Sequence, residues 1–168
     1  RSVGKDSLSP RRSVFFMPGA NARALEKARS IDCDGIIIDL EDAVAPDLKV
    51  EARERTAGVV RGHPYGYREV AIRVNGMDTQ WYHDDLAAAV AAGPDAIAVP
   101  KVGSAEHVHA IVADMEAAGA DESVKLWAMI ETPRAVLDCL AIAEASARLT
   151  VLIMGTNDLT KELRASHV

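Results

Sequence analysis

The sequence has little of what marks several large classes of protein. Of its 168 residues only two are cysteine and 4% are aromatic, and acidic residues outnumber basic ones to give a net charge of −6. An acidic balance disfavours nucleic acid as the main partner. No apolar run reaches the roughly 20 residues of a membrane span, and no secretory segment lies near the start. We therefore expect a globular, cytoplasmic protein without a membrane partner.

Several catalytic signatures are also missing. Cys33 and Cys139 lie far apart without metal-ligand spacing, so we expect reduced thiols. The nucleotide-binding pattern G-x-G-x-x-G is absent, and so is the nucleophile elbow of serine hydrolases. We expect all the histidines to be surface residues. They are His63, His83, His107, His109 and His167.

What the sequence does contain is a regular alternation of apolar, strand-length runs with amphipathic, helix-length segments. The predicted strands are residues 13–17, 35–40, 69–74, 96–99, 126–130 and 150–154. The predicted helices are residues 22–30, 48–61, 80–92, 105–118 and 133–145, with a last one from residue 158 or 159 onward. Residues 1–10 are polar and aperiodic, and are predicted to be a flexible tail.

Six β/α units without a dinucleotide fingerprint predict an α/β fold of the TIM-type (β/α)8 barrel class. Such a barrel has eight units and typically about 250 residues. We therefore expect residues 11–168 to be a partial barrel domain that lacks the C-terminal units. Strands one and six would have open edges, so either a longer chain or a partner subunit should cover them.

Two acidic residues follow predicted strands at equivalent places. Glu131 ends the fifth apolar run, and Asp158 follows the sixth. The carboxyl ends of parallel strands meet on one face, and two carboxylates there suit a hard cation such as Mg²⁺. The alternative is that each acid caps the helix that follows it.

The other strand ends also carry polar groups. Arg73, inside the third strand, is a candidate clamp for a carboxylate, because a buried guanidinium needs an anion. Asp39, Glu41 and Asp42 lie within four residues, and close like charges raise a pKa into the range of a general acid or base. In the alternative, Asp42 caps a turn and Asp39 pairs with Arg73 or with Lys101, a residue that would otherwise be a solvated charge.

Six motifs together resemble one enzyme family. They are residues 12–20 (RSVFFMPGA), 38–44 (IDLEDAV), 72–76 (IRVNG), 99–102 (VPKV), 129–133 (MIETP) and 155–159 (GTNDL). In this order they resemble the citrate lyase β-subunit-like acyl-CoA lyases of the Mg²⁺-dependent HpcH/HpaI aldolase/citrate lyase superfamily of TIM barrels. The resemblance extends over residues 11–164.

The resemblance implies a carbon–carbon lyase that cleaves a malyl-, citramalyl- or citryl-CoA-type thioester to a keto acid and acetyl-CoA by retro-Claisen chemistry. It makes Glu131 and Asp158 the ligands of Mg²⁺ or Mn²⁺, and Arg73 the residue that binds the acid's carboxylate. Glu41 and Asp42 would lie beside a water on the metal. The remaining implied contacts to substrate, including the CoA phosphates, are Arg12, Pro18, Gly19 and Lys101.

Two other readings of the resemblance stay open. One is a pyruvate or oxaloacetate aldolase that needs no thioester, and the other is an inactive fragment or scaffold without the family's C-terminal lid. The family also implies a homo-oligomer, with a trimer favoured.

Overall fold

Six parallel strands form one sheet in the computed structural model, and their order in the sheet is their order in the chain. They are β1 (Val14–Pro18), β2 (Gly35–Asp39), β3 (Glu69–Arg73), β4 (Ala96–Val99), β5 (Lys125–Ile130) and β6 (Leu149–Met154). All six predicted strands are thus confirmed to within one or two residues at each end. The structure describes residues 10–166; most of the predicted tail (residues 1–9) and His167 lie outside this range.

Helices connect successive strands. They are α1 (Ala22–Lys27), α2 (Lys49–Arg61), α3 (Tyr82–Ala92), α4 (Ala105–Ala117), α5 (Pro133–Leu137), α6 (Cys139–Glu144) and α7 (Thr156–Leu163), with 3-10 turns at Ala28–Ser30 and Pro46–Leu48. Local side chains fix several of their starts. The side chains of Asn21, Ser104 and Thr132 accept the backbone N–H three residues on, which is the usual N-cap bond. Gly93 ends α3 in the left-handed region, with φ 66°.

Two helix predictions are wrong in detail. The helix predicted over residues 133–145 is interrupted at Asp138, whose backbone leaves the helical region and whose carboxylate accepts from Arg134 Nε at 2.6 Å. The last helix begins at Thr156 rather than at residue 158 or 159. Its N-cap is Gly155, which has no side chain to mark the start, and Asp158 lies in the first turn.

The two faces of the sheet are packed differently. The main apolar cluster joins strand residues such as Ile36, Ile38 and Ile97 to helix residues such as Val108 and Ile111. The cluster on the opposite face consists of strand residues alone: Ile37, Ala71, Ala96, Ala98 and Trp127, with Val14, Val151 and Ile153 against them. The helices therefore cover one face, and the other is an inner face, as in a barrel wall.

Sequential parallel order with helices on one face is the winding of a TIM-type barrel, and it confirms the predicted fold class. Within residues 10–166 the sheet is open, because β1 and β6 each pair on one side only. Large apolar side chains are exposed on both edge strands, with Phe16 46% and Met154 53% exposed. In the same range, none of the helices is both long and apolar enough to cross a membrane.

Candidate active site

The centre of the site is an ion pair between the last residues of two adjacent strands. Asp39 and Arg73 are direct partners in the β2–β3 register, so their side chains leave the sheet side by side. Residues two apart share a face of a strand. Asp39 and Arg73 therefore lie on the same inner face as Ile37 and Ala71, at its carboxyl end.

The Arg73 guanidinium is held by a fork-to-fork contact. Its Nε donates to Asp39 Oδ1 at 2.7 Å and its Nη2 donates to Asp39 Oδ2 at 2.6 Å. Phe16 lies 5.1 Å from its central carbon, and Met129 Sδ is 3.9 Å from Nη1. Burial lowers the pKa of Arg73, but the hydrogen bonds and charge of Asp39 outweigh this and leave the pKa raised. Of the two alternatives for Asp39, pairing with Arg73 is the one that occurs.

Glu41 and Asp42 lie at the free end of the same guanidinium. Glu41 Oε2 is 3.0 Å from Arg73 Nη1, but the approach is too oblique for a hydrogen bond, and this buried oxygen accepts none from the described residues. Asp42 is 3.7 Å from the same nitrogen and is largely exposed. Burial raises the pKa of Glu41 to about 7; Arg73 and Lys101 oppose this, and the charges of Asp42 and Glu131 add to it.

Glu131 is fixed on two sides and does not cap a helix. Thr132 fills the cap position of α5, so the capping alternative fails for Glu131. Its Oε2 accepts the backbone N–H of Lys101 at 2.8 Å, and Lys101 has φ 55°, a strained angle for a residue with a side chain. On its other side is Gly155, where a Cβ would overlap the Glu131 carboxylate.

Asp158 comes to the same place from α7. It lies in the first turn of that helix, where a carboxylate is favoured by the helix dipole, so a helix-stabilising role also remains for it. Glu131, Asp158 and Lys101 all line one groove of about 490 Å³, together with Lys161 and Arg164. Burial, with the neighbouring charge of Asp158, raises the pKa of Glu131, and the Lys101 N–H opposes the shift.

The donor set fits Mg²⁺ better than a metal that needs a closed protein cage. Among residues 10–166 no group of three or more His, Cys, Asp or Glu side chains is arranged so that it could hold a metal ion. Mg²⁺ is commonly held by one or two carboxylates, with water and substrate completing its shell. Glu131 and Asp158 supply hard oxygen ligands, and their mutual repulsion is the kind of strain that a cation relieves.

Three further residues predicted to contact the substrate, Pro18, Gly19 and Arg12, lie at opposite ends of the sheet. Pro18 ends β1, and Gly19 donates to the Asp39 carbonyl at 2.8 Å, while a Cβ at Gly19 would lie 2.6 Å from Thr56 Oγ1. Their turn is therefore packed against the site. Arg12 does not join it. It precedes β1 and is bonded to Asp34, which precedes β2, so placing it with the Pro18–Gly19 turn is corrected.

Sequence reasoning missed a second row of polar residues behind the site. Lys49 is 6% exposed, and Asn75 and Asp85 are also buried. A buried lysine at a helix start has no distinct sequence signature. The only available signal was that Lys49 falls on the apolar side of α2, in line with Ala52 and Thr56.

Comparison with known proteins gives one family and several relatives. The model of the HpcH/HpaI aldolase/citrate lyase family matches residues 12–168. A (3S)-malyl-CoA thioesterase of Cereibacter sphaeroides is 49% identical over 154 residues, which are 92% of this chain and 52% of that protein. The citrate lyase subunit beta of Escherichia coli K12 is 35% identical over 171 residues, 99% of this chain and 57% of that protein. The chain thus spans about half the length of these curated relatives.

Solved structures of related proteins have a similar fold. The citrate lyase beta subunit of Mycobacterium tuberculosis, complexed with oxaloacetate and magnesium, has a TM-score of 0.73 and 26% identity, covering 96% of this chain and 65% of that one. A structure of that organism's protein with magnesium, acetoacetate and coenzyme A has a TM-score of 0.72 and 27% identity, covering 92% and 52%.

Proposed function

Since the chain belongs to the HpcH/HpaI aldolase/citrate lyase family, we propose that it carries the active site of a Mg²⁺-dependent carbon–carbon lyase. The substrate would be a hydroxy-dicarboxylic acyl-CoA thioester of the malyl, citramalyl or citryl type. The products would be a keto acid and acetyl-CoA. The observation that carries the proposal is the Arg73–Glu41 pair beside the groove of Glu131 and Asp158, an anion clamp and a proton acceptor next to two hard ligands.

Arg73 would bind the carboxylate of the hydroxy acid. A guanidinium has five N–H groups, and Asp39 uses only Nε and one hydrogen of Nη2. The N–H groups of Nη1 and the second N–H of Nη2 would bind a substrate carboxylate, in competition with Glu41 and Asp42, which lie 3.0 and 3.7 Å from Nη1. Asp39 holds the guanidinium plane fixed, so the acid is oriented as it binds, which lowers the entropic part of the barrier.

Glu41 would accept the hydroxyl proton of the substrate. Its raised pKa, about 7, makes it an effective base near neutral pH, and its Oε2 accepts no hydrogen bond that would compete with this role. As the proton leaves, the bond between the hydroxyl-bearing carbon and the thioester's α-carbon breaks. The electron pair passes to the thioester enolate, which is then protonated to acetyl-CoA.

Glu131 and Asp158 would hold the metal ion. Bound there, Mg²⁺ would supply Lewis-acid polarisation of the oxygen that becomes the keto group. Gly155 and the Lys101 N–H would keep the Glu131 carboxylate in place for this. The named relatives support the assignment, since the M. tuberculosis neighbour is complexed with oxaloacetate and magnesium.

The test is product analysis with malyl-, citramalyl- and citryl-CoA, each with and without Mg²⁺. A lyase gives keto acid and acetyl-CoA in equal amounts, and EDTA abolishes both. Turnover should rise with pH through about 7, as Glu41 loses its proton. Cleavage of a free hydroxy acid without CoA would show the aldolase alternative instead, and no product under any condition would favour an inactive scaffold.

Thioester hydrolysis is a second candidate, favoured by the 49% identity to a protein named (3S)-malyl-CoA thioesterase. Here the Glu41 carboxylate would take a proton from water rather than from the substrate hydroxyl. The products would be a free hydroxy acid and CoA. Release of free thiol without keto acid separates this reaction from the lyase reaction.

We also propose a cytoplasmic homo-oligomer, with a trimer favoured. Free Cys33 and Cys139 agree with a reducing compartment. The exposed Phe15 and Phe16 on β1 and Met154 on β6 agree with further apolar contacts at the two edges of the sheet. Light scattering on the purified protein tests the oligomeric state.

A further inference from the structure

Lys49, the first residue of α2, is a buried cation directly behind the segment that carries Glu41. Its Nζ donates to the carbonyl oxygens of Leu40 and Glu41, each at 2.9 Å, and lies 5.1 Å from the centre of the Trp81 ring. Lysine ammonium groups are ordinarily kept in water. Burial lowers the pKa of Lys49, and the nearby carboxylates act against that shift. A buried ammonium group needs hydrogen-bond acceptors in place of water, and here these are the two carbonyl oxygens.

A second donor reaches the same segment from the loop after β3. Asn75 Nδ2 donates to the Leu40 carbonyl at 3.0 Å and to Asp85 Oδ2 at 2.6 Å. Asp85 is fully buried and also accepts from Arg53 Nε at 2.7 Å. The Leu40 carbonyl is thus held by two buried donors from two different elements. Together they form a rigid polar layer between α2, α3 and the end of β2.

Both backbone polar groups of Glu41 are therefore fixed by buried charges. Its N–H donates to Asp39 Oδ1 at 2.8 Å, and its carbonyl accepts from Lys49 and from the Val44 N–H at 3.1 Å. Asp39 Oδ2 also accepts the Ala43 N–H at 2.9 Å. With the peptide groups on either side of Glu41 held, the direction of its Cα–Cβ bond is set, and the side chain faces Arg73 Nη1.

We propose that Lys49 is a positioning residue for Glu41. By holding the Leu40 and Glu41 carbonyls it sets the direction of the Glu41 carboxylate. This inference rests on the proposed function, in which Glu41 accepts the proton. Arg73 is held directly by Asp39 rather than by Lys49, so substrate binding should change less than turnover.

Arg68 provides a matched control. It too is a buried cation: its Nε donates to the Ile31 carbonyl at 2.7 Å and its Nη1 to that of Tyr65 at 3.1 Å, and it lies over the Tyr67 ring. These contacts are at the opposite end of the sheet, before β2 and β3. Lys49→Met and Arg68→Met therefore each remove a buried cation that donates to two backbone carbonyls, at opposite ends of the sheet.

Measurements of kcat distinguish a positioning role of Lys49 from a general contribution to stability. Lys49→Met should lower kcat by about 10-fold to 100-fold, because a misplacement near 1 Å is that costly, with KM changed by about 2-fold at most. Lys49→Arg, which keeps a cation and its donors, should recover part of kcat. Arg68→Met should leave kcat within about 2-fold while lowering the melting temperature by a similar amount. An unchanged kcat in Lys49→Met, or an equal loss in Arg68→Met, would overturn the proposal.

Hydrogen exchange gives a readout that needs no turnover. In Lys49→Met the peptide covering residues 40–45 should exchange faster while peptides covering residues 63–68 keep their rate, and Arg68→Met should show the reverse. Unchanged exchange in residues 40–45 would overturn the proposal even if the protein proves inactive. If either Met variant does not fold, the Gln variants of both positions, too short to reach two carbonyls, replace them. The products of the wild-type protein alone decide which reaction occurs. The proposed function and the positioning role of Lys49 can therefore fail independently.

Discussion

At the scale of single residues, the site depends on how donors are shared around one guanidinium. Arg73 is a candidate clamp for a substrate, yet two of its five N–H groups are already bonded to Asp39. This contact fixes the orientation of the guanidinium but leaves fewer N–H donors for a substrate. It also means that a substitution at Arg73 affects both the fold and the chemistry, because it removes the partner of a buried carboxylate.

Arg73→Lys should lower kcat/KM by about 100-fold or more and the free energy of unfolding by about 2 kcal/mol, since lysine cannot bridge both Asp39 oxygens and a substrate. Enzyme kinetics and urea denaturation measure the two losses. Arg12→Lys is the control, because Arg12 makes the same forked contact with Asp34 at an exposed place. It should cost much less stability than Arg73→Lys and leave activity unchanged, because the contact is exposed to solvent. Equal behaviour of the two variants would contradict the clamp role.

Glu41 should make stability depend on pH in a defined range. Its folded pKa of about 7 lies above its ordinary 4.5, so between these values the folded protein holds a proton that the unfolded chain has released. The free energy of unfolding must therefore fall as pH rises from about 4.5 to about 7. Relative to Glu41→Gln, wild type should lose up to about 3 kcal/mol across this range.

Denaturation in metal-free buffer at several pH values measures this difference. Asp42→Asn is the control: the Asp42 charge helps to raise the pKa of Glu41, so its removal should move the loss to lower pH without abolishing it. A constant difference between wild type and Glu41→Gln would show that the carboxylate is not desolvated in the folded protein.

At the scale of elements, each strand end contributes a backbone feature as well as a side chain. Glu131 accepts a hydrogen bond from the N–H of Lys101 after β4. Gly155, after β6, leaves room for the Glu131 carboxylate because it has no side chain. The sequence allowed the acidic residues to be found, because they follow apolar runs. It could not indicate that Gly155 makes room for a carboxylate or that Lys101 adopts a positive φ, since both depend on the spacing between neighbouring strands.

Gly155→Ala should therefore weaken metal binding through Glu131. The new Cβ overlaps the carboxylate, so Mg²⁺ or Mn²⁺ affinity should fall by about 10-fold or more, as is usual when a ligand's support is changed. Titration calorimetry measures it. Gly58→Ala, inside α2 with open space around it, should leave affinity unchanged and raise stability by about 0.5–1 kcal/mol. Unaltered affinity in Gly155→Ala would exclude Glu131 as a ligand.

At the scale of the whole molecule, both the order of the strands and the open edges of the sheet were predictable from the sequence. Strand and helix periods, with short connections, leave few topologies for a parallel sheet. The amphipathic pattern could not indicate the break in the residue 133–145 segment at Asp138, and the start of α7 could not be predicted because its cap is a glycine. The pairing of Asp39 with Arg73 required the register of β2 and β3, which the sequence leaves open.

The edges of the sheet should determine how this 168-residue chain behaves in isolation. With β1 and β6 each paired on one side among the described residues, we expect self-association at micromolar concentration. Phe15→Lys combined with Met154→Lys should raise the monomeric fraction, as charged side chains on edge strands do. Light scattering measures this, with Val50→Lys on α2 as the off-edge control. Monodisperse monomer in the unsubstituted chain would contradict the expectation.

The inner face of the sheet has one more consequence, which is optical. The sequence has two tryptophans, and each lies at an informative point. Trp127 is 1% exposed between small alanine side chains of the inner face, and Trp81 lies under the Lys49 ammonium. Replacing Trp81 by phenylalanine would leave Trp127 as a single emitter two residues along β5 from Met129, which contacts Arg73. Its emission should be blue-shifted and shielded from acrylamide. Any quenching on addition of a keto acid would report, in real time, binding of the acid beside Arg73.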